Sequence, residues 1–434
     1  MKRHPCCPAL ISAAIASVLA FDAHAVRIDY TLDAGIERDD NVTLSQTNPV
    51  EQDIYRAGVG FALEQNSSAV QARISGRLDH RRYEDIYADA TDRMLDGRLN
   101  WMVIPDRLGL VVEDSYGVQT IDRFEPDSPN NRQQINVLSL GPDLHFNLGK
   151  TLRGRAELRF INSDAEVTED FNSDRIVAAL RALKDLDATS TLSFNLQMQD
   201  VDFDNDLFAR DHKRYEAYAS YSRRFNNVDT LLDAGYARLD YSDGQTRNNP
   251  LLRAELGWRV SERSRFSVNA ANQFSDAAAS ALRAIGGAEV GVPDSVLTGR
   301  STITPSAYEE RSVNVGYEYT GVRTIYSVSG YAQKIDYVDA GSSNEENRGL
   351  AVELTYRLRP SLNVRASASR DRTEAAPPTA RREHNRLYSL GLEKQWSRHW
   401  SSSLEFNRYQ RTSANTTGEF EQNLIYLSVT YRNR

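Results

Sequence analysis

Cysteine is missing from all but the start of this chain. Cys6 and Cys7 are the only two among 434 residues. Both precede Ala23-His24-Ala25, which reads as a secretory cleavage site. A chain cut there has no disulfide and no thiolate metal site. Lysine is nearly missing too: beyond Lys2, only Lys150, Lys184, Lys213, Lys334 and Lys394 occur. After the leader, histidine is limited to His80, His145, His212, His384 and His399. No G-x-S-x-G elbow, H-E-x-x-H helix or Gly-rich phosphate loop is present, so neither an enzyme nor a cofactor is expected. A net charge of −8 gives no basic footprint for nucleic acid. A mean hydropathy of −0.56 excludes a helical membrane protein. It does not exclude a barrel, because only one face of each strand meets lipid.

The leader sets the compartment. Lys2 and Arg3 form a basic start, and Ala9 to Phe21 is an apolar stretch of signal-peptide length. It falls short of the roughly 20 apolar residues that span a bilayer. The chain therefore divides into a cleavable signal peptide at 1–25 and a single domain at 26–434, with Val26 as the expected new terminus.

What is present is alternation. Val26, Ile28, Tyr30, Leu32, Ala34 and Ile36 alternate with Arg27, Asp29, Thr31, Asp33, Gly35 and Glu37. Side chains switch faces at every residue of a strand, so one set suits lipid and the other a polar lumen. The same scheme recurs at Tyr55–Leu63, Leu95–Val103, Leu152–Phe160, Leu192–Met198, Leu252–Val260, Val313–Tyr319 and Leu350–Leu358. It ends on Ile425, Leu427, Val429 and Tyr431. Segments of about 10–14 residues are joined alternately by tight turns and by longer gaps, mostly of about eight residues or more. That rhythm predicts an all-β fold: one transmembrane, antiparallel, up-and-down barrel of about 20 strands, with about 18 as the alternative. Pro142 falls inside a strand-like run, which calls for a bulge or a shorter strand there.

Tryptophan is sorted. Trp101, Trp258, Trp396 and Trp400 all lie near tight turns. Indoles favour the membrane interface, so these four are expected to form a periplasmic girdle, with both termini periplasmic. A soluble secreted β-protein has no reason to sort its tryptophans this way.

The polar face carries the candidate lumen residues. They are Arg73, Arg77, Arg98, Arg153, Arg155, Glu157, Arg159, Arg253, Glu255 and Arg259. Arginine rows can guide an acidic sugar through bidentate contacts. They can equally pair with acids across the wall, the stronger reading because acids are interleaved with most of them. Asp200, Asp202, Asp204, Asn205 and Asp211 partly match a calcium loop, but Asn stands for Gly and Asp for the final Glu. An acidic surface loop is the better reading, and no metal is expected. The longest connection, Ser275–Ser306, either folds into the lumen as a constriction or stays at the surface, and both remain open.

Asp39-Asp40-Asn41-Val42, Arg81-Arg82-Tyr83 and Gly141-Pro142, set in this strand layout, resemble the β-barrel porin group found with exopolysaccharide biosynthesis and exosortase (PEP-CTERM) systems. The resemblance implies a Gram-negative outer-membrane channel serving polysaccharide export, with lipid, lipopolysaccharide, the barrel-assembly machinery and polysaccharide export components as partners. It brings no catalytic residue. A general diffusion porin and a non-transporting scaffold barrel are the alternatives. No globular plug precedes the first strand, which argues against a plugged transporter.

Overall fold

The computed structural model describes residues 26–434, apart from 123, 126, 206–208, 280–305, 340–341, 378–379 and 415–417. The expected leader at 1–25 lies outside the described residues. Twenty strands follow one another. They are β1 (Val26–Asp39), β2 (Gln52–Asn66), β3 (Val70–Tyr83), β4 (Ala90–Ile104), β5 (Leu108–Thr120), β6 (Arg132–Asn147), β7 (Leu152–Ala165), β8 (Ser173–Asp185), β9 (Ser190–Phe203) and β10 (His212–Phe225). The second half comprises β11 (Val228–Tyr241), β12 (Thr246–Ser261), β13 (Ser264–Ser275), β14 (Tyr308–Thr320), β15 (Thr324–Tyr337), β16 (Glu345–Arg359), β17 (Leu362–Ala375), β18 (Arg382–Gln395), β19 (Trp400–Ser413) and β20 (Phe420–Arg432). Each pairs antiparallel with the next, and β20 returns to β1. The sheet is a closed barrel without a free edge.

Strands run from 12 residues in β13 to 16 in β6 and β12. About 9–11 residues cross a bilayer, so the ladders continue beyond the apolar belt. The long-side connections are therefore shorter than the sequence suggests; Ser242–Gln245 is only a tight turn. The opposite rim has turns such as Asn226–Asn227, Glu262–Arg263 and Pro360–Ser361. Asp106 and Asn226 enter the left-handed region there, at φ 59° and 43°, which Asp and Asn tolerate better than most residues. Val26 and Arg432 both lie on this short-turn rim.

Chord contacts fix which face is which. Arg175 in β8 and Arg214 in β10 both reach Asp276, just past β13. A contact that skips strands in a closed barrel crosses the interior, so residues of their parity face inward. The opposite parity carries Leu32, Val59, Leu158 and Leu354, which are 40–49% exposed. Leu99 and Leu256 share it through their pairing with Ala72 and Val268. Alternation alone thus sorts an apolar outside from a polar inside.

The expected irregularity at Pro142 is neither a bulge nor a shortened strand. β6 keeps one register with β7, from Leu140–Phe160 to Asp143–Glu157, and only the two intervening positions are unpaired. Proline has no N–H to give. Arg159 covers the gap, donating to the carbonyls of Pro142 and Leu158 at 3.0 Å each. The strands press so close here that a Cβ on Gly141 would stand 1.9 Å from the Leu158 oxygen. Gly141→Val is therefore expected to cost about 1–3 kcal/mol by overpacking, read as an earlier urea midpoint for the refolded barrel. An unchanged midpoint would show that the buckle relaxes freely.

The seam between β1 and β20 spans the register from Thr31–Arg432 to Asp39–Leu424. Beyond it, Asn433 continues the pairing with its side chain. It accepts the Tyr30 N–H at 2.8 Å and donates to the Ile28 carbonyl at 3.1 Å.

Candidate functional site

A closed sheet of 20 strands at 4.7–4.9 Å spacing, tilted as barrels are, encloses a backbone cylinder on the order of 40 Å across. Wall side chains cannot fill that width. The lumen, and whatever enters it, is the candidate site.

All ten candidate lumen residues take inward positions, and most are already engaged. Arg77 bonds Asp33 at 2.9 Å and Asp79 at 2.6 Å. Arg98 meets Glu113 at 3.3 Å, and Arg153 meets Asp185 at 2.6 Å. Arg155 holds Asp143 and Glu157 at 2.5 and 2.9 Å. Arg159 shares Asp143. Arg181, which the sequence did not single out, joins them by bonding Glu157 at 2.8 Å. Arg253 bridges Glu216 and Asp233 at 3.2 and 3.5 Å. Arg259 donates to the Asn226 carbonyl at the short-turn rim. Arg73 keeps only a 3.8 Å contact to Glu64 and stands largely exposed. Glu255 has no ion-pair partner among the described residues. These pairs stiffen the wall and leave few guanidiniums free for an anion.

The pairs run on into a longer network. Arg175 and Asp276 meet at 2.5 Å with both side chains 2–3% exposed. Arg214 contacts Asp276 at 3.9 Å, Gln199 at 2.5 Å and Glu216 at 3.3 Å. Gln273 accepts from Arg253 at 2.6 Å and donates to Glu310 at 3.1 Å, and Gln333 donates to the same Glu310 at 3.0 Å. Burial works against the charge on Asp276, but Arg175 and Arg214 outweigh it and hold the carboxyl below the usual carboxylate range.

Asp276 opens the long connection, and its position resolves that connection's direction where it can be followed. Ala277 and Ala278 pack against Ile135, Val137, Ile161, Ala165 and Phe171. At the other end Ala307 packs with Leu239, Tyr241, Leu251 and Phe274. Ile135, Val137, Ile161, Leu239 and Leu251 sit at inward positions, so an apolar seat lines the otherwise polar lumen. Both described ends of the connection start inside the barrel; residues 280–305 lie outside the described residues. The seat is visible in the sequence only as apolar residues on the wrong parity.

A second connection also reaches inward. Phe124 and Glu125, between β5 and β6, present their carbonyls to Arg411 of β19 at 2.5 and 2.9 Å. Arg411 is held by Glu383, and both are buried. Arg381 stands 5.9 Å from the Phe124 ring centre. At the same rim Arg210, before β10, pairs with Asp339, after β15. Three chords therefore narrow the long-loop mouth. None has a local sequence signal.

Trp101 and Trp258 lie on outward positions at the short-turn rim, paired with Leu110 and Phe266. Trp396 and Trp400 are exposed at the same rim. Trp400 packs edge-on to Tyr431 at 5.2 Å, and Tyr431 sits 6.1 Å from Tyr30. The calcium-like residues do not converge: Asp200 pairs with Lys213 at 3.1 Å, and Asp211 accepts the Phe203 N–H. On an extended strand Asp200 and Asp202 share a face but stand about 7 Å apart, in a row along the strand rather than curled around one point as in a calcium loop.

No family model matches the chain. No curated protein matches it either. Among solved structures it is similar to a mutant of the ferric enterobactin receptor PfeA from Pseudomonas aeruginosa. The TM-score is 0.51 at 11% identity, covering 94% of this chain and 80% of that one. The FrpB iron transporter from Neisseria meningitidis aligns at TM-score 0.46 and 11% identity, covering 96% and 82%. A loop-deleted form of OmpT, an outer membrane protein of Vibrio cholerae, aligns at 0.33 and 13%, covering 94% and 99%. The likeness to the PfeA barrel is one of fold.

Proposed function

We propose that this chain is an outer-membrane channel for a polar solute, and that the solute is an exopolysaccharide leaving the cell. The observation that carries the reading is the lumen. It is polar, wider than its side chains can fill, and narrowed by a connection seated on the wall from β6 to β12. A purely structural barrel has no need of a seat for an inserted segment. The outward apolar belt supports a lipid-embedded wall, and the tryptophans at the short-turn rim support placing that rim, with both termini, in the periplasm. The barrel-assembly machinery and lipopolysaccharide are the partners this placement implies, and the family resemblance favours components of polysaccharide export.

The test is planar-bilayer recording of the full protein and of a form in which residues 280–305 are replaced by a short Gly-Ser linker. Low conductance is expected from the first and higher conductance from the second, with extracellular polysaccharide lost in a deletion strain. Absence of current from either form, with secretion unchanged, would leave a scaffold barrel as the reading. Protease added to intact cells is expected to cut long-side connections and to spare Pro105-Asp106 and Arg359-Pro360.

A further inference from the structure

We propose that the inner wall from β14 to β20 is a binding track for an uncharged glycan chain. This rests on the channel reading above. The two halves of the lumen differ in chemistry. From β1 to β12 the inward positions carry the ion-pair lattice and the seat for the inserted connection. From β14 to β20 many inward positions at mid-depth are hydroxyls and amides, with the carboxylates of Glu353 and Glu405 and the apolar Leu387 and Leu424 between them. Asn314, Ser327, Ser367, Ser389, Asn407 and Ser428 are representative, and their inward direction follows from the registers that link them to Gln333, Glu353 and Glu405. Most of them are half-exposed.

Neutral sugars are recognised by such groups. Each hydroxyl of the polymer both donates and accepts, and Ser, Asn and carboxylate side chains meet it without a net charge change. An aromatic ring flat on the wall adds an apolar surface for the ring faces of sugars. Tyr331 supplies one. It lies over Gly349, where a Cβ would come within 2.2 Å of the tyrosine Cε1, so only glycine lets the ring settle against the wall.

The charges on this wall argue against an acidic polymer. Two of the inward cations, Arg365 and Arg411, are taken by Glu393, at 2.6 Å, and by Glu383. Glu353 and Glu405 have no ion-pair partner among the described residues. At mid-depth an anionic chain would meet these carboxylates beside an Arg365 already taken, and Arg357, an inward cation without an ion-pair partner among the described residues, stands toward the short-turn rim; a hydroxyl can donate to the carboxylates. Hydroxyls and amides outnumber these acids along the track, which favours a neutral over a cationic chain.

The experiment uses the full-length refolded barrel with a Tyr331→Trp reporter. Its fluorescence is titrated with neutral malto-oligosaccharide, with acidic oligogalacturonate and with cationic chitosan oligomers. Current blockade by the same three is recorded in planar bilayers. The neutral oligomer is expected to perturb the reporter and lengthen blockades. Ser367→Arg and Ser389→Arg are expected to weaken its binding about tenfold, the equivalent of one or two ordinary hydrogen bonds, and to admit the acidic oligomer. Ala179→Arg, on the opposite wall, is expected to change neither. Equal or tighter binding of a charged oligomer to the parent barrel would overturn the track, as would the same loss from Ala179→Arg. Binding without current would retire the channel and keep the track. Current without preference for the neutral oligomer would keep the channel and retire the track.

Discussion

Arginine in place of Leu158 or Leu354 is expected to cost about 2–4 kcal/mol of barrel stability near the bilayer midplane. Arginine at Thr355, one residue along, is expected to be accepted. Leu158 and Leu354 are 48% and 40% exposed in the barrel alone. No described residue covers the rest of either side chain, and in the proposed outer-membrane placement hydrocarbon does. A guanidinium there brings its charge out of water with no partner. Thr355 pairs with Arg365 and Ile325 on the inward face, where water and carboxylates are within reach. The measurement is folding into vesicles followed through urea, with heat-modifiable mobility marking the closed form. Equal tolerance at both positions would overturn the assignment of faces, and with it every statement about the lumen.

The second large effect is expected at the anchor of the inserted connection. Arg175→Ala leaves the buried Asp276 carboxylate with the Ala279 N–H at 2.9 Å and, as its one remaining cation among the described residues, Arg214 at 3.9 Å. Removing one member of a buried pair costs about 3–5 kcal/mol. That loss falls on the connection rather than on the ladders, because Asp276 follows the last residue of β13. The expected result is a barrel that stays heat-modifiable, has a connection open to protease and shows higher conductance. Replacing Arg175 by Met and Asp276 by Leu together is expected to recover most of the stability, since no charge is left buried and unpaired. The pH dependence has a definite sign. The Asp276 carboxyl is held below its ordinary value, so its contribution is fully present above about pH 4. It is lost only as the solution becomes more acidic than that. Release of the connection between pH 6 and 8 would contradict the anchor.

The wall was legible in the sequence, and the lumen contents were not, for a physical reason. Outward parity follows from alternation within one strand, so the outward positions of Leu32, Val59 and Leu256 can be read from their own strands. Trp258 and Trp400 are likewise placed by their distance from a turn. The ten candidate lumen residues take inward positions by the same parity. Their partners follow less directly. Asp143 serves both Arg155 and Arg159 across two strands, a choice set by register. The inserted connection is harder still. Ile135, Val137 and Leu251 are apolar on the polar parity, and along one strand they look like noise in the pattern. They become a seat only when the seven strands from β6 to β12 lie side by side and Ala277, Ala278 and Ala307 rest on them. Arg411 gives no hint of Phe124, nearly three hundred residues away, because the contact is a chord across the mouth. Pro142 misled for the opposite reason. Its local rule was sound, but a side chain, Arg159, repaired the ladder from inside.

The seam of β1 with β20 has a consequence for how the molecule comes into being. Asn433 bonds Tyr30 across a separation of 403 residues. No contact of that reach can form until nearly the whole chain has been laid down. Throughout that interval the two terminal strands each offer an unpaired row of N–H and C=O groups, the kind of border that recruits other chains. The polypeptide is thus most vulnerable until β20 has met β1. A variant that loses Asn433 is expected to linger in that open-edged state, which links one residue just beyond β20 to the yield of the closed barrel.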